Sequence, residues 1–196
     1  MPFNLKERFA SVKAGRAFSC YTWLEVSALR DLETDPSAEF LEGRPPLPAG
    51  DFGVPRQLVA NVVIGNRCRG RRLVLLARNR EEADPHLEPL RALAIRLGLD
   101  GAHAYIQDER SSRARLANIA LLLNTRGHTV EPRNRLQLML GVASGKAFGA
   151  LLGFSRSLDP RRDILALCRD GTLTFDLDVV LTPETLIRQW EGGDEQ

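Results

Sequence analysis

The side chains best placed for chemistry in this sequence are arginines, 24 of them against 3 lysines. Residues 56 to 80 hold seven (Arg56, Arg67, Arg69, Arg71, Arg72, Arg78, Arg80) and no Asp or Glu. A cluster of that kind suits a partner of negative charge. Arg67, Arg69, Arg71 and Arg72 could each neutralise a phosphate, adding affinity through counterion release; the alternative is a solvated turn. A second basic region, residues 133 to 169, carries seven basic and two acidic side chains. Other chemistry finds little support. His86, His103 and His128 are isolated, and no Ser-His-Asp or Cys-His order suggests a nucleophile. Cys20, Cys68 and Cys168 stand far apart, with no CxxC and no histidine at ligand spacing, so neither a zinc ribbon nor a disulfide framework is suggested and a reducing intracellular compartment fits.

These side chains need elements to hold them. Trp23, Leu24, Val26, Leu29 and Leu32 recur at helical spacing, with Glu25 beside the stripe and Asp35-Pro36 as its stop. Gly43 to Gly53, with Pro45, Pro46 and Pro48, reads as an irregular crossing. Leu58–Ile64 and Arg72–Ala77 predict two strands of a hairpin turned at 65–71. A helix starting at Asp84-Pro85 buries Leu87, Leu90, Leu93, Ala94 and Leu97 and stops at Gly98. Ala102 to Ile106 is a third strand. Ser111 or Ser112 caps a helix that buries Leu116, Ile119, Ala120 and Leu123 and ends before Gly127.

After Gly127, where a domain boundary is expected, the pattern changes. A helix from Pro132 carries Leu136, Met139, Leu140 and Val142, the apolar segment Ala147–Phe154 follows, and a helix from Asp159-Pro160 runs through Ile164, Leu165 and Leu167 to Gly171. Three short helices in succession suggest a helix-turn-helix unit. Thr172–Leu177 and Val179–Leu181 would form a wing. Gly141, Gly145, Gly149 and Gly153 recur every four residues, but without a preceding strand, a GK[ST] triplet or a long apolar span they read as close packing and turns. Gly192 to Gln196 reads as disordered.

The order of these elements resembles the TnsA-like transposon endonucleases, which join a nuclease domain of the restriction-endonuclease type to a C-terminal winged helix. The residues that carry the resemblance are Glu25, Leu29, Leu32-Glu33, Asp35-Pro36, the basic hairpin ending in Leu73-Val74-Leu75, and, more loosely, Leu181–Thr185. It spans about residues 18 to 126 and then 132 to 188. The implied fold class is α/β: a small mixed sheet flanked by helices over 1–126, then a winged-helix domain over 127–196.

An active enzyme of this family would hold divalent metal between a helical Glu, here Glu25, and acids on the hairpin strands, with a Lys nearby. In this chain the Pro-Asp dipeptide becomes Pro55-Arg56 and the acid-x-Lys strand end becomes Leu76-Ala77-Arg78. Two expected carboxylates are therefore missing, and Arg56 brings positive charge to the cation's place. Catalytic remnants are limited to Glu25 and Asp51, no metal site is assigned, and Mg²⁺ enters as a cofactor only if those two form a working pair.

The resemblance thus implies a DNA-binding, non-cleaving accessory protein of DNA transposition or related DNA handling, whose partners would include DNA, a transposase or a regulatory ATPase, and a second copy of itself. Arg67, Arg69, Arg71 and Arg72 would contact the backbone. Arg161, Arg162 and Arg169 would position the third helix of the winged domain, whose first turn usually meets base edges. Asp159 and Asp163 partly cancel that field, and Asp176 and Asp178 on the wing would repel phosphate, which keeps a protein partner open for this domain. Two further readings are a sequence-specific transcription regulator on the same architecture, and an active metal-dependent endonuclease using Glu25 and Asp51.

Composition sets the frame for all of these. With 196 residues, 43% apolar, 27% charged and a net charge of +2, the chain has the balance of a globular protein and not of a disordered one. Its length suits one large domain or two small ones. No run of 18 apolar residues occurs, and Met1 to Ala14 contains basic residues but no signal-like apolar stretch, so a cytoplasmic protein without membrane association is expected.

Overall fold

The computed structural model describes residues 7–49, 52–66, 69–143 and 145–190. Asp51, Arg67, Cys68 and the tail from Gly192 to Gln196 lie outside the described residues. The chain is a mixed α/β protein with several sheets flanked by helices, and it divides into two compact units: one takes the residues through Glu33 together with Ala38–Arg110, the other Thr34–Ser37 and the residues from Ser111 onward. The boundary therefore precedes the position expected at Gly127, because the helix at 113–123 packs with the second unit.

The first unit opens with an antiparallel hairpin, β1 (Glu7–Ser11) and β2 (Arg16–Cys20), that hydropathy alone reads as a basic arm. Its period-2 alternation buries Phe9, Ser11, Phe18 and Cys20 on one face. Helix α1 (Trp23–Thr34) follows. Its Glu33 is buried and holds the hairpin turn: the carboxylate accepts from Ser11 Oγ at 2.7 Å, Val12 N at 2.7 Å and Lys13 N at 3.2 Å. Lys13 Nζ in turn donates to the Leu32 carbonyl at 2.8 Å.

The central sheet runs in the order β3 (Phe40–Gly43), β4 (Val59–Asn66), β5 (Gly70–Ala77), β6 (Gly101–Ile106). The expected hairpin is β4 and β5, which pair antiparallel with a register shift between Val59 and Val63, and β6 joins β5 in parallel. Strand β3 ends at Gly43, where the segment read as an irregular crossing begins. The sheet is covered on both faces, so β4 and β5 read as continuous apolar runs. Val62, Ile64, Val74 and Leu76 pack with α1 and the β1–β2 hairpin. Val59, Val63, Leu73, Leu75 and Ala77 face helix α2 (Arg80–Arg96) through its Leu90, Leu93 and Ala94.

Helix α2 starts at Arg80, earlier than Asp84-Pro85, and carries Pro85 and Pro89 inside. Its start is set by Asn79, whose side chain accepts from Glu82 N at 2.9 Å, while Glu82 Oε2 accepts from Arg78 N at 2.6 Å. This reciprocal cap satisfies donors that a proline start would have left to water. The helix stops as expected, with Gly98 in the left-handed region at φ 72°.

The second unit contains α3 (Arg113–Leu123), α4 (Pro132–Val142), β7 (Lys146–Ala147), α5 (Phe148–Leu152), α6 (Pro160–Arg169), β8 (Leu173–Thr174) and β9 (Leu186–Gln189). Its small sheet has the order β7-β9-β8. Ser112 caps α3, accepting from Arg115 N at 3.1 Å. The buried face of α3 is Asn118, Ile119 and Leu122, not the expected set: Leu116 and Ala120 are exposed. Asn118 rotates that face inward because its Nδ2 donates to the Leu177 and Val179 carbonyls at 2.9 and 2.8 Å. The glycines at four-residue spacing serve packing: a Cβ on Gly141 would meet the Phe154 ring at 2.8 Å, and one on Gly149 would meet Pro183 at 3.0 Å.

The expected wing strand Val179–Leu181 is not a strand; the return strand is β9. Asp178 is held off the sheet by Ser112 Oγ at 2.7 Å and by Arg115 at 3.0 Å. Its charge is thus paired, and the repulsion of phosphate expected from it is weakened.

Candidate nucleic-acid interface

Glu25 stands in the first turn of α1 and is only 4% exposed. It is neither a solvated helix-border residue nor a free carboxylate. One oxygen accepts from Asn61 N on β4 at 2.8 Å and the other from Tyr21 N at 3.0 Å, while its own N–H donates to Thr22 Oγ1 at 3.1 Å. Two backbone donors thus satisfy both oxygens of this buried carboxyl group.

Arg44, just past β3, closes this cluster. Its N–H donates to the Asn61 carbonyl at 3.1 Å, and its guanidinium donates to Asn61 Oδ1 at 3.0 Å and to the Pro45 carbonyl at 3.3 Å, while Nε is buried with no partner. Burial holds the Arg44 guanidinium below its ordinary range; the Glu25 carboxylate acts against that, and the charge of Arg56 adds to it. Arg56 opens the short turn Arg56–Leu58 ahead of β4, is exposed, donates to the Pro48 carbonyl and lies over the Phe52 ring at 5.6 Å.

A divalent cation does not fit this donor set. Both Glu25 oxygens already accept N–H bonds, and the nearby charges are guanidiniums. Among the described residues no three His, Cys, Asp or Glu side chains come together as a metal site. Asp51, the other candidate carboxylate, lies outside the described residues.

Cys20, adjacent to this region, has its thiol pushed up to about 11, first by burial and then by the Glu25 and Glu7 carboxylates, so it stays neutral. Cys168 is raised by burial as well. Both are inert as nucleophiles at neutral pH.

The hairpin arginines do not form one face. Arg69 is exposed at the turn, Arg71 is exposed and pairs with Glu42 of β3 at 3.1 Å, and Arg72 is partly buried. Arg67 lies outside the described residues. The Arg71 pair is about half exposed on each side, so it holds its cation only weakly and a phosphate could replace it.

On α6 the three arginines separate. Arg161 and Arg162 are exposed in the first turn, where Asp159 caps the helix by accepting from Arg162 N at 3.0 Å. Arg169 is not available to DNA. It is 7% exposed, donates to the Thr125 and His128 carbonyls, and pairs with Asp170. Its work is to hold the loop after α3. Asp163 also leaves the surface: it is buried, with His128 Nε2 at 2.6 Å and Asn134 Nδ2 at 3.5 Å. The field at the head of α6 is therefore less cancelled than the sequence count implies.

No family model and no curated protein matches this chain. The side chains themselves carry the functional reading. Two residues that matter were missed by sequence: Arg44, hidden among the prolines of a segment read as irregular, and Asn61, whose only signal is one polar residue in a Val-rich strand.

Among the described residues no helix is long and apolar enough to cross a membrane.

Proposed function

We propose that this protein binds DNA without cutting it, as an accessory factor of transposition or related DNA handling. The observation that carries the reading is the inverted charge at the head of α1. Where a nuclease of the resembled type needs several carboxylates, both Glu25 oxygens accept backbone N–H bonds, and the charged neighbour is Arg44, bonded to Asn61 and sensing both Glu25 and Arg56. Such a site retains affinity for phosphate and lacks the means to hold a catalytic cation.

Chain topology supports the same reading. The succession α1, antiparallel β3-β4-β5, α2 and parallel β6 is compatible with a nuclease-type domain. The succession α4, β7, α5, α6, β8, β9, with sheet order β7-β9-β8, is compatible with a winged helix. In this reading Arg161 and Arg162 meet the duplex, Arg69, Arg71 and Arg72 add backbone contacts, and a transposase or regulatory ATPase is the protein partner.

Fluorescence anisotropy with a long duplex across a salt series, with and without Mg²⁺, tests it. The expected result is tight binding with a steep salt slope, indifference to Mg²⁺, and no nicking under Mg²⁺ or Mn²⁺. Absence of binding at low salt overturns the reading, and so does cleavage that Glu25→Ala abolishes.

A further inference from the structure

Past its first turn, helix α6 has no solvent side. All the residues from Asp163 to Arg169 are buried, and successive positions on a helix point about 100° apart, so a run of this length covers every direction. The neighbours belong to the same unit: α3, α4, α5 and β8 all pack on α6.

The face that begins with Arg162 shows what this removes. Three, four and seven residues on, it continues through Leu165, Ala166 and Arg169, which are 5%, 0% and 7% exposed. Arg169, the charged member, already donates to the Thr125 and His128 carbonyls.

Reading bases through the major groove makes a different demand on a helix. The groove is about 12 Å wide and takes a single helix, itself about 10–12 Å across with its side chains. Packed helices stand about 8–10 Å apart, axis to axis, so a helix with neighbours on every side is too broad to lie in the groove. What reaches a duplex is the tip of α6, where Arg161 and Arg162 are exposed. These two are adjacent in sequence and do not share a face, so they are not the pair, one turn apart, with which a helix reads successive bases.

The segment that would form a wing adds no readout. From Asp170 to Ile187 the chain carries Asp170, Asp176, Asp178 and Glu184 and no Lys or Arg, whereas the minor groove attracts cations.

We propose that this protein takes duplex DNA of any sequence, held by its phosphates, and does not read the bases. The proposal rests on the DNA-binding reading and deepens it by naming the class of DNA bound, and it opposes a sequence-specific regulator on the same architecture. Arginines at a helix tip and at an exposed turn, Arg161, Arg162 and Arg69, meet the same phosphate charge wherever they land along a duplex.

The test selects binders of the full chain from a duplex library with a randomised centre. Competition anisotropy at one salt concentration then compares the selected pool, the starting pool, an alternating dA-dT duplex and an alternating dG-dC duplex. The expected result is no consensus and affinities within about tenfold of one another, against ratios of about 10³–10⁷ for sequence-specific binders. Arg161→Ala with Arg162→Ala, checked for folding by circular dichroism, should weaken binding to all four by the same factor. A selected motif bound more than about tenfold tighter than the starting pool overturns the proposal and leaves the DNA reading standing. So does a loss in the double variant confined to duplexes with G·C pairs, the mark of arginine on guanine. Absence of binding to all four overturns the two together.

Discussion

The two helices that carry charge into the interior, α1 and α6, use it in opposite ways at their N-terminal ends. At the head of α1 an acid is buried and tied to backbone N–H groups, so the first turn is closed by internal bonds. At the head of α6 the capping acid Asp159 takes only a backbone N–H, and two arginines stay outside. Farther along, both helices bury a charged residue that holds a neighbouring loop: Glu33 the β1–β2 turn, Arg169 the loop after α3. Residue type does not tell a binding cation from a structural one. The difference lies in which donors and acceptors the fold brings within reach.

Removing the buried acid should have the largest effect. Glu25→Ala leaves the Tyr21 and Asn61 N–H groups without their acceptor and should cost about 3 kcal/mol, hydrogen bonds to charged groups contributing about 1.5–3 kcal/mol each. Urea denaturation measures it, and a loss under about 1 kcal/mol would mean that the carboxylate is not structural. Next comes Arg169→Ala, expected to cost about 2 kcal/mol of stability through unsatisfied carbonyls. Duplex affinity in that variant should not change; a drop in affinity at unchanged stability would return Arg169 to the DNA surface.

The α6 pair sharpens the contrast from the other side. Arg161→Ala with Arg162→Ala should leave stability within about 0.5 kcal/mol. It should weaken duplex binding about tenfold, equivalent to roughly 1.4 kcal/mol, and lower the salt slope by about 2. Anisotropy at several salt concentrations reads both quantities, and an unchanged slope would remove α6 from the interface.

The smallest effect concerns Cys20. Its thiol is raised from 9.0 to about 11 in the folded protein. Folding therefore keeps a proton that the unfolded chain releases, so this contribution to stability is whole below pH 9 and is lost as pH climbs toward 11. Thermal unfolding of the parent should weaken more steeply over that window than that of Cys20→Ala. Parallel curves for the two proteins would show that burial of the thiol is not coupled to folding.

Much of the frame was legible in the residues. The β4–β5 hairpin, the β6 strand and the Gly98 stop follow from runs of β-branched residues and from a glycine at a helix end, which are local signals. The β1–β2 hairpin was not legible, because its pattern is short and broken by charged residues. It becomes a hairpin when Glu33, more than 20 residues downstream, supplies an acceptor to its turn. The face of α3 was misjudged for a similar reason: hydropathy favoured Leu116, but an Asn with two distant carbonyls decided which side turned inward.

Sequence alone determined the α/β alternation, the two basic regions and the lack of acids on the β4–β5 hairpin, since each depends on residue type within a short window. Tertiary structure decided which charges remain available. Glu25, Asp163 and Arg169 left the solvent because partners remote in sequence met their hydrogen-bonding needs, while Arg161, Arg162 and Trp23 were left outside. A charge crosses into the interior only where the fold satisfies it, and that condition belongs to the assembled chain.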